Sequence, residues 1–318
     1  MESMAVTETN EDLKTRIAWL YFVEGMTQDE IAQAVGLNRS RVLRILAAAR
    51  ADGTVQVRVT TRLSRCIELE RILENRWALG RAIVVPRPQG RVPVEAIVGG
   101  ELGAYLNGVV HPKMTLGLGW GKTLSSGLAS IEPRAAQGVR VISMLGGLTR
   151  VSSVNPSEFA WRVADRLSAE CLMLAAPVFA PDLRTRAALL GHGGLGEVFE
   201  CAKNLDVAVV STSDLSPHST IVEYGLLSHE EVSSLQRAGA VGDVLCHFID
   251  AEGALVDHPI NERVVAVHPH DLRSARNLVL ASGGLQKVAA IRATLKLLRP
   301  GTFITDETVA ERLAADGP

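Results

Sequence analysis

Residues 27–50 read TQDEIAQAVGLNRSRVLRILAAAR, and this stretch decides how the chain is organised. Thr27 and Glu30 have the spacing of a capping box: the hydroxyl accepts the Glu30 amide while the carboxylate reaches back, so a helix starts there. Ile31, Ala32 and Val35 fall on its inner face, and Gly36 stops it. Asn38 is a good N-cap for a following helix in which Val42, Ile45 and Leu46 face a core. Arg39, Ser40, Arg41 and Arg44 occupy the exposed first turns of that helix. Two short helices around a glycine-containing turn make a helix-turn-helix. Its second helix presents N-terminal side chains to the major groove, where Arg donates bidentately to guanine and Ser or Asn binds base or phosphate. The candidate DNA contacts are Thr27, Gln28, Asn38, Arg39, Ser40, Arg41 and Arg44. A three-helix element with a merely solvated arginine face is the plain alternative. Four arginines and no acidic residue between Asn38 and Arg50 weigh toward DNA.

Upstream, Leu13, Ile17, Leu20 and Tyr21 recur at spacings of three and four, with Ala18 and Trp19 filling in, which predicts a first helix from Asn10 to Gly25. Residues 1–9 are expected to be a disordered tail. Downstream, Asp52-Gly53 is a turn, and Thr54 to Val59 alternates like the strand of a small wing. Residues 10–60 thus form a small all-α, winged-helix-like domain. Residues 61–80 carry an amphipathic pattern (Leu63, Ile67, Leu69, Leu73, Trp77) expected to be a linker helix able to pair with a partner chain.

The whole chain has 318 residues and a formal net charge of −2, so any nucleic-acid site must be local. Four cysteines stand without a Cys-x-x-Cys pair, which argues against a zinc site or disulfide framework and for a cytoplasmic location. The most apolar stretch, near Cys171 to Ala180, is broken by Pro177 and is about half the ~20 residues of a membrane span. No basic-then-apolar leader opens the sequence.

Residues 81–318 alternate strand and helix. Strands are expected at Ala82–Val85, Thr115–Leu118, Val139–Met144, Leu172–Ala175, Val207–Val210 and Leu278–Ala281. Helices are expected at Val94–Leu106, Lys122–Ile131, Glu158–Leu167 and Gln286–Leu298. This rhythm predicts an α/β domain with a doubly wound, parallel sheet that binds ligands beyond the carboxyl ends of its strands. Three glycine loops sit at such ends. In Gly117-Leu-Gly119-Trp-Gly121-Lys122-Thr123, glycines allow a tight curl and the helix that follows offers amides to an anion. It is not a P-loop, because the G-x-x-x-x-G-K motif requires glycine where Leu116 stands. The others contain Gly146-Gly147 and Gly283-Gly284, the latter with Lys287 in the first turn after it. Any of these can instead be a purely structural turn. Asp243, in Gly239-Ala-Val-Gly-Asp243, can accept from sugar hydroxyls or simply stabilise a turn. The candidate ligand contacts are Gly119, Gly121, Lys122, Thr123, Gly146, Gly147, Asp243, Gly283, Gly284 and Lys287. No metal or cofactor site is expected.

Taken in order, Met26-Thr-Gln-Asp-Glu-Ile-Ala through Arg50, Gly119-Trp-Gly-Lys-Thr123, Gly239–Asp243 with Phe248 and Asp250, Gly283–Arg292 and Ile304–Glu307 resemble the sorbitol-operon (SorC-type) regulators. These are sometimes grouped with deoxyribonucleoside regulators. The resemblance implies an effector domain with the fold of glucosamine-6-phosphate deaminase and ribose-5-phosphate isomerase, used for sensing rather than turnover. It implies a homotetramer that binds operator double-stranded DNA and answers to a phosphorylated sugar or polyol. It implies that the phosphate is held at Gly121 to Thr123 and Lys287, with Asp243 near the sugar. Many members carry a smaller or different residue where this chain has Lys122. The alternative is a sugar-phosphate isomerase or deaminase with a DNA-binding head, for which Asp243, His192 and Asp214 are the acid–base candidates.

Overall fold

The computed structural model describes residues 10–55, 64–88, 90, 92–148 and 155–315. The expected tail (1–9) lies outside these residues, as does the expected wing strand from position 56 onward. The chain divides into two compact units, Met1–Thr61 and Arg62–Pro318.

The first unit holds α1 (Asn10–Phe22), α2 (Gln28–Ala34) and α3 (Arg39–Ala51). Ile17, Ile31, Val42 and Leu46 are buried together, with Leu13, Leu20 and Leu37 packed against them. Trp19, read as filling in, is instead 57% exposed. Both halves of the capping box form: the Glu30 amide donates to Thr27 Oγ1 at 3.3 Å, and the Thr27 amide donates to Glu30 Oε2 at 2.7 Å. The Arg41 amide donates to Asn38 Oδ1 at 2.8 Å, which caps α3.

The second unit opens with α4 (Ser64–Trp77), which falls within the segment read as a linker. Its Leu69 and Leu73 are buried in the core of this unit. Then come β1 (Arg81–Val85), α5 (Val94–Val109), β2 (Thr115–Leu118) and α6 (Lys122–Ser126), the last tightening into a 3₁₀ turn over Gly127–Ser130. β3 (Arg140–Ser143), α7 (Pro156–Leu167), β4 (Glu170–Leu172), α8 (Leu183–Leu190), α9 (Gly193–Ala202) and β5 (Val207–Val210) follow. Next are β6 (Thr212–Ser213), α10 (Thr220–Glu223), α11 (His229–Arg237), β7 (Gly242–Val244), β8 (His247–Ile249) and α12 (Pro259–Glu262). The chain closes with β9 (Asn277–Ala281), α13 (Val288–Leu298), β10 (Thr302–Asp306) and α14 (Glu307–Ala315).

Among the described residues, seven strands form one sheet in the order β1-β10-β9-β5-β2-β3-β4, and every pairing is parallel. β6, β7 and β8 form a small antiparallel sheet. Side chains along the parallel strands alternate between two cores, one per face, as the two-residue period of a strand requires. Ile83, Val207, Val209, Val279 and Ile304 face α5, the 3₁₀ turn and α7. Ala82, Val84, Ala208, Val210, Leu278 and Phe303 face α4, α9, α11, α13 and α14. Strands buried on both faces read as continuous apolar runs, which is why β5 is Val-Ala-Val-Val.

The β1 edge of the sheet is closed by α4. The Val84 amide donates to Glu70 Oε1 at 2.9 Å and the Ala82 amide to Glu74 Oε1 at 3.0 Å. Two carboxylates one helical turn apart thereby satisfy the outward amides of an edge strand, which would otherwise invite another chain. Strand succession runs β2, β3, β4 toward one edge, then returns to β5 and runs β9, β10 toward the other. The reversal falls between β2 and β5, and a crevice opens there beyond the strands' carboxyl ends.

Candidate functional site

That crevice is a small, partly open cleft. β2 delivers Trp120, Gly121, Lys122 and Thr123 to it, and β5 delivers Ser211 to Ser213. Thr220, Asp243 and Lys287 complete the lining. Gly121 is the N-cap of α6 with φ +120°, a conformation that side-chain-bearing residues rarely adopt, so the curl of this loop requires glycine.

The chemistry of the lining is polar. Thr123 is 1% exposed and its Oγ1 has no hydrogen-bond partner; the Oγ atoms of Ser125 and Ser219 and Asp243 Oδ1 are equally buried and unpartnered. Buried polar atoms of native proteins are normally satisfied, and two of these exceptions, Thr123 Oγ1 and Asp243 Oδ1, belong to residues that line the cleft. Asp243 Oδ2 accepts the Cys246 amide at 2.9 Å. Burial pushes the Asp243 carboxyl up to about 7, against the opposing pull of that amide and of the Lys287 charge. Burial also lowers the Lys287 ammonium from its ordinary value, while Glu95, Asp214 and Asp243 act to raise it. Lys122 forms an ion pair with Glu223 at the end of α10.

Of the ligand contacts read from sequence, Gly121, Lys122, Thr123, Asp243 and Lys287 meet at this cleft. Gly119 lies behind it: its amide donates to the Val209 carbonyl at 2.8 Å, and Leu245 Cδ2 would lie 3.1 Å from a Cβ added there. Gly283 and Gly284 shape the turn that delivers Lys287. The Gly284 amide donates to Asp306 Oδ2 at 2.8 Å, and the same oxygen would lie 2.6 Å from a Cβ on Gly283. Gly146 and Gly147 do not line the cleft. A Cβ on Gly146 would meet the Ala176 and Pro177 carbonyl oxygens at 2.6 and 2.7 Å, so its glycine allows two backbones to approach. Sequence reading missed Ser211, Thr212, Ser213 and Thr220. The first three had a signal, a polar burst directly after the apolar run of β5. Thr220 had none.

In the first unit, Arg39, Ser40, Arg41 and Arg44 are exposed on α3. Arg39 is held by Asp29 at 3.6 Å and by Gln28 Oε1 at 3.4 Å. Arg41 and Arg44 have no acidic partner among the described residues. The side chains of Thr27 and Asn38 are engaged in their caps. Arg50, the fourth arginine of the run, stacks over Phe22 at 5.2 Å.

A helix-turn-helix unit followed in the chain by a doubly wound unit with a polar cleft at its switch point defines a class, that of single-chain regulators with a ligand-binding domain. The comparisons agree. The profile of the family described as "Putative sugar-binding domain" matches residues 61–315. The erythritol catabolism regulatory protein EryD of Brucella abortus is 32% identical over 312 residues, covering 97% of this chain and 98% of that protein. The deoxyribonucleoside regulator of Bacillus subtilis is 27% identical over 312 residues, covering 96% and 98%. Among solved structures, the full-length sorbitol operon regulator SorC of Klebsiella pneumoniae superposes with a TM-score of 0.71 at 23% identity, over 96% of this chain and 99% of that one. The chain belongs to the SorC-type family of sugar-binding transcriptional regulators. Among the described residues, no helix is long and apolar enough to cross a membrane.

Proposed function

We propose that the chain is an operator-binding regulator of a carbohydrate or polyol catabolic operon, controlled by a phosphorylated sugar or polyol that binds the cleft between β2 and β5. The observation that carries this reading is the union, in one crevice, of Lys122 and Lys287 with the buried, unpartnered Thr123 hydroxyl. Two cations and a ring of hydroxyl donors suit a phosphate, whose oxygens only accept. Asp243, with one oxygen free of partners, suits a ligand hydroxyl.

The second unit acts as the effector and oligomerisation domain, on the pattern of glucosamine-6-phosphate deaminase and ribose-5-phosphate isomerase, within a cytoplasmic homotetramer. Arg41 and Arg44, exposed and without acidic partners among the described residues, supply the phosphate and base contacts of α3, with Gln28, Arg39 and Ser40 beside them. Ligand shifts the balance between two arrangements of the assembly and so the spacing of paired recognition helices. The reading is sensing, not turnover. Acid–base catalysis on a sugar needs a positioned base and acid, and Asp243 is the one carboxylate among the described residues that line the cleft. The test is a thermal-shift screen of the full chain against sugar and polyol phosphates and their unphosphorylated parents, since a ligand that binds only the native state raises the melting temperature. A phosphorylated compound should raise it while its parent does not. Turnover of any compound by wild type and not by Asp243→Ala would replace sensing with an enzyme.

A further inference from the structure

Lys122 is one of the two lysines of the cleft, and it is already engaged. Its ammonium pairs with Glu223, and both side chains are about half-exposed at the mouth, 38% and 52%. Glu223 ends the short segment whose first residue, Thr220, lines the cleft, and whose preceding residue, Ser219, buries an unpartnered hydroxyl. The segment that offers hydroxyls to a ligand therefore also brings a carboxylate onto the cation that the ligand needs. Lys122, and His218 more weakly, hold the Glu223 carboxyl below the usual range, so it is ionised at neutral pH. Lys287, the other cation, lies in the field of Glu95, Asp214 and Asp243.

Resting on the reading of the cleft as a phosphate site, we propose that Glu223 is a tethered competitor for Lys122, and that this competition selects dianionic phosphomonoesters over carboxylates and neutral polyols. The selection follows from charge. A monoanionic carboxylate that takes Lys122 from Glu223 exchanges one carboxylate for another and gains nothing. A neutral hydroxyl cannot displace an ion pair. A phosphomonoester brings nearly two charges and three acceptor oxygens, enough to engage Lys122 and Lys287 together. Tethering matters because a group on a short segment acts at an effective concentration in the millimolar range, so weak anions lose to it.

The experiment titrates the full chain with inorganic phosphate, and separately with acetate, at fixed ionic strength and pH 7.5. The proteins are wild type, Glu223→Gln, Lys122→Met, the double variant of these two positions, and Lys287→Met; Lys122 and Glu223 are both at the surface, so their substitution leaves the fold intact. Glu223→Gln should bind phosphate about fivefold tighter or better, a typical coupling between interacting sites. It should gain more for acetate than for phosphate, which narrows the preference for phosphate; an equal gain for both overturns the selection. The gain should vanish when Lys122 is already Met, as a direct pair requires. Phosphate affinity of Glu223→Gln within about twofold of wild type, with Lys287→Met still abolishing binding, overturns the competition and leaves the phosphate cleft standing. Failure of both wild type and Glu223→Gln to bind phosphate overturns both.

Discussion

A Cβ placed on Gly99 would lie 2.3 Å from the carbonyl oxygen of Thr123, so α5 and the loop that lines the cleft touch backbone to backbone. One turn on, a Cβ on Gly103 would lie 2.3 Å from the Gly127 oxygen. Neither contact has a flexible side chain that can yield. Gly99→Ala should therefore cost about 1–3 kcal/mol and displace Thr123. Gly108, on the same helix, has nothing within 4 Å of an added Cβ, and Gly108→Ala should gain about 0.5–1 kcal/mol. Urea unfolding of the two variants checks the opposite signs.

Asp243 gives the chain a pH signature. Its carboxyl stands at about 7 because burial penalises the charged form, against an ordinary value of 3.8. Between those values the folded chain keeps a proton that the unfolded chain has released. The stability contributed by that proton is complete below pH 4 and is lost as pH rises toward 7, at no more than about 1.4 kcal/mol per pH unit. Asp243→Asn is neutral throughout. Its stability relative to wild type should climb between pH 4 and 7 and level off above, and parallel curves would refute the assignment.

Asp306 fastens the turn that carries Lys287. It is 1% exposed; Oδ2 accepts the Gly284 amide at 2.8 Å, and Oδ1 accepts the Thr308 and Val309 amides at 2.9 and 3.2 Å. Asp306→Ala strands three amides at once. A loss of about 3 kcal/mol or more is expected in chemical denaturation, since each unsatisfied buried donor costs about 1–3 kcal/mol. Asp306→Asn, which keeps one acceptor oxygen, should recover part of it.

In the first unit, removal of the Thr27 cap (Thr27→Ala) should cost about 1 kcal/mol of helix stability. Arg44→Ala should leave stability unchanged and reduce the slope of log affinity for DNA against log salt by about one, as the loss of one phosphate contact does. A slope equal to wild type would remove Arg44 from the interface.

The helices of the first unit were legible because their signals are local: Thr27 to Glu30 and Asn38 to Arg41 are bonds across three residues. β2 and β5 were read to the residue because strands in the middle of a parallel sheet are short apolar runs cut off by polar or glycine residues. β10 was not read as a strand, since Thr302-Phe-Ile-Thr-Asp306 looks polar. Its Thr305 and Asp306 are buried, and Asp306 is spent on backbone amides. β6, β7 and β8 are two or three residues long, too short for a period to register. Gly121, Thr123 and Lys287 stood out because each follows a strand end. Gly146 and Gly147 stood out for the same reason, but only the fold reveals that the first presses against Ala176 and Pro177 rather than facing the cleft. Thr220 and Glu223 reach the cleft by tertiary packing alone, which leaves no mark on the local sequence.

The central claim, that one phosphate cleft governs DNA binding, is tested most directly by the affinity of the full chain for DNA from upstream of its own gene. The affinity would be measured with and without the phosphorylated compound found by thermal shift, in wild type and in Lys287→Ala. Wild type should change its DNA affinity about fivefold or more on adding the compound. Lys287→Ala should bind DNA as wild type does without it and fail to respond. An equal response from the unphosphorylated parent, or an undiminished response in Lys287→Ala, would contradict the claim.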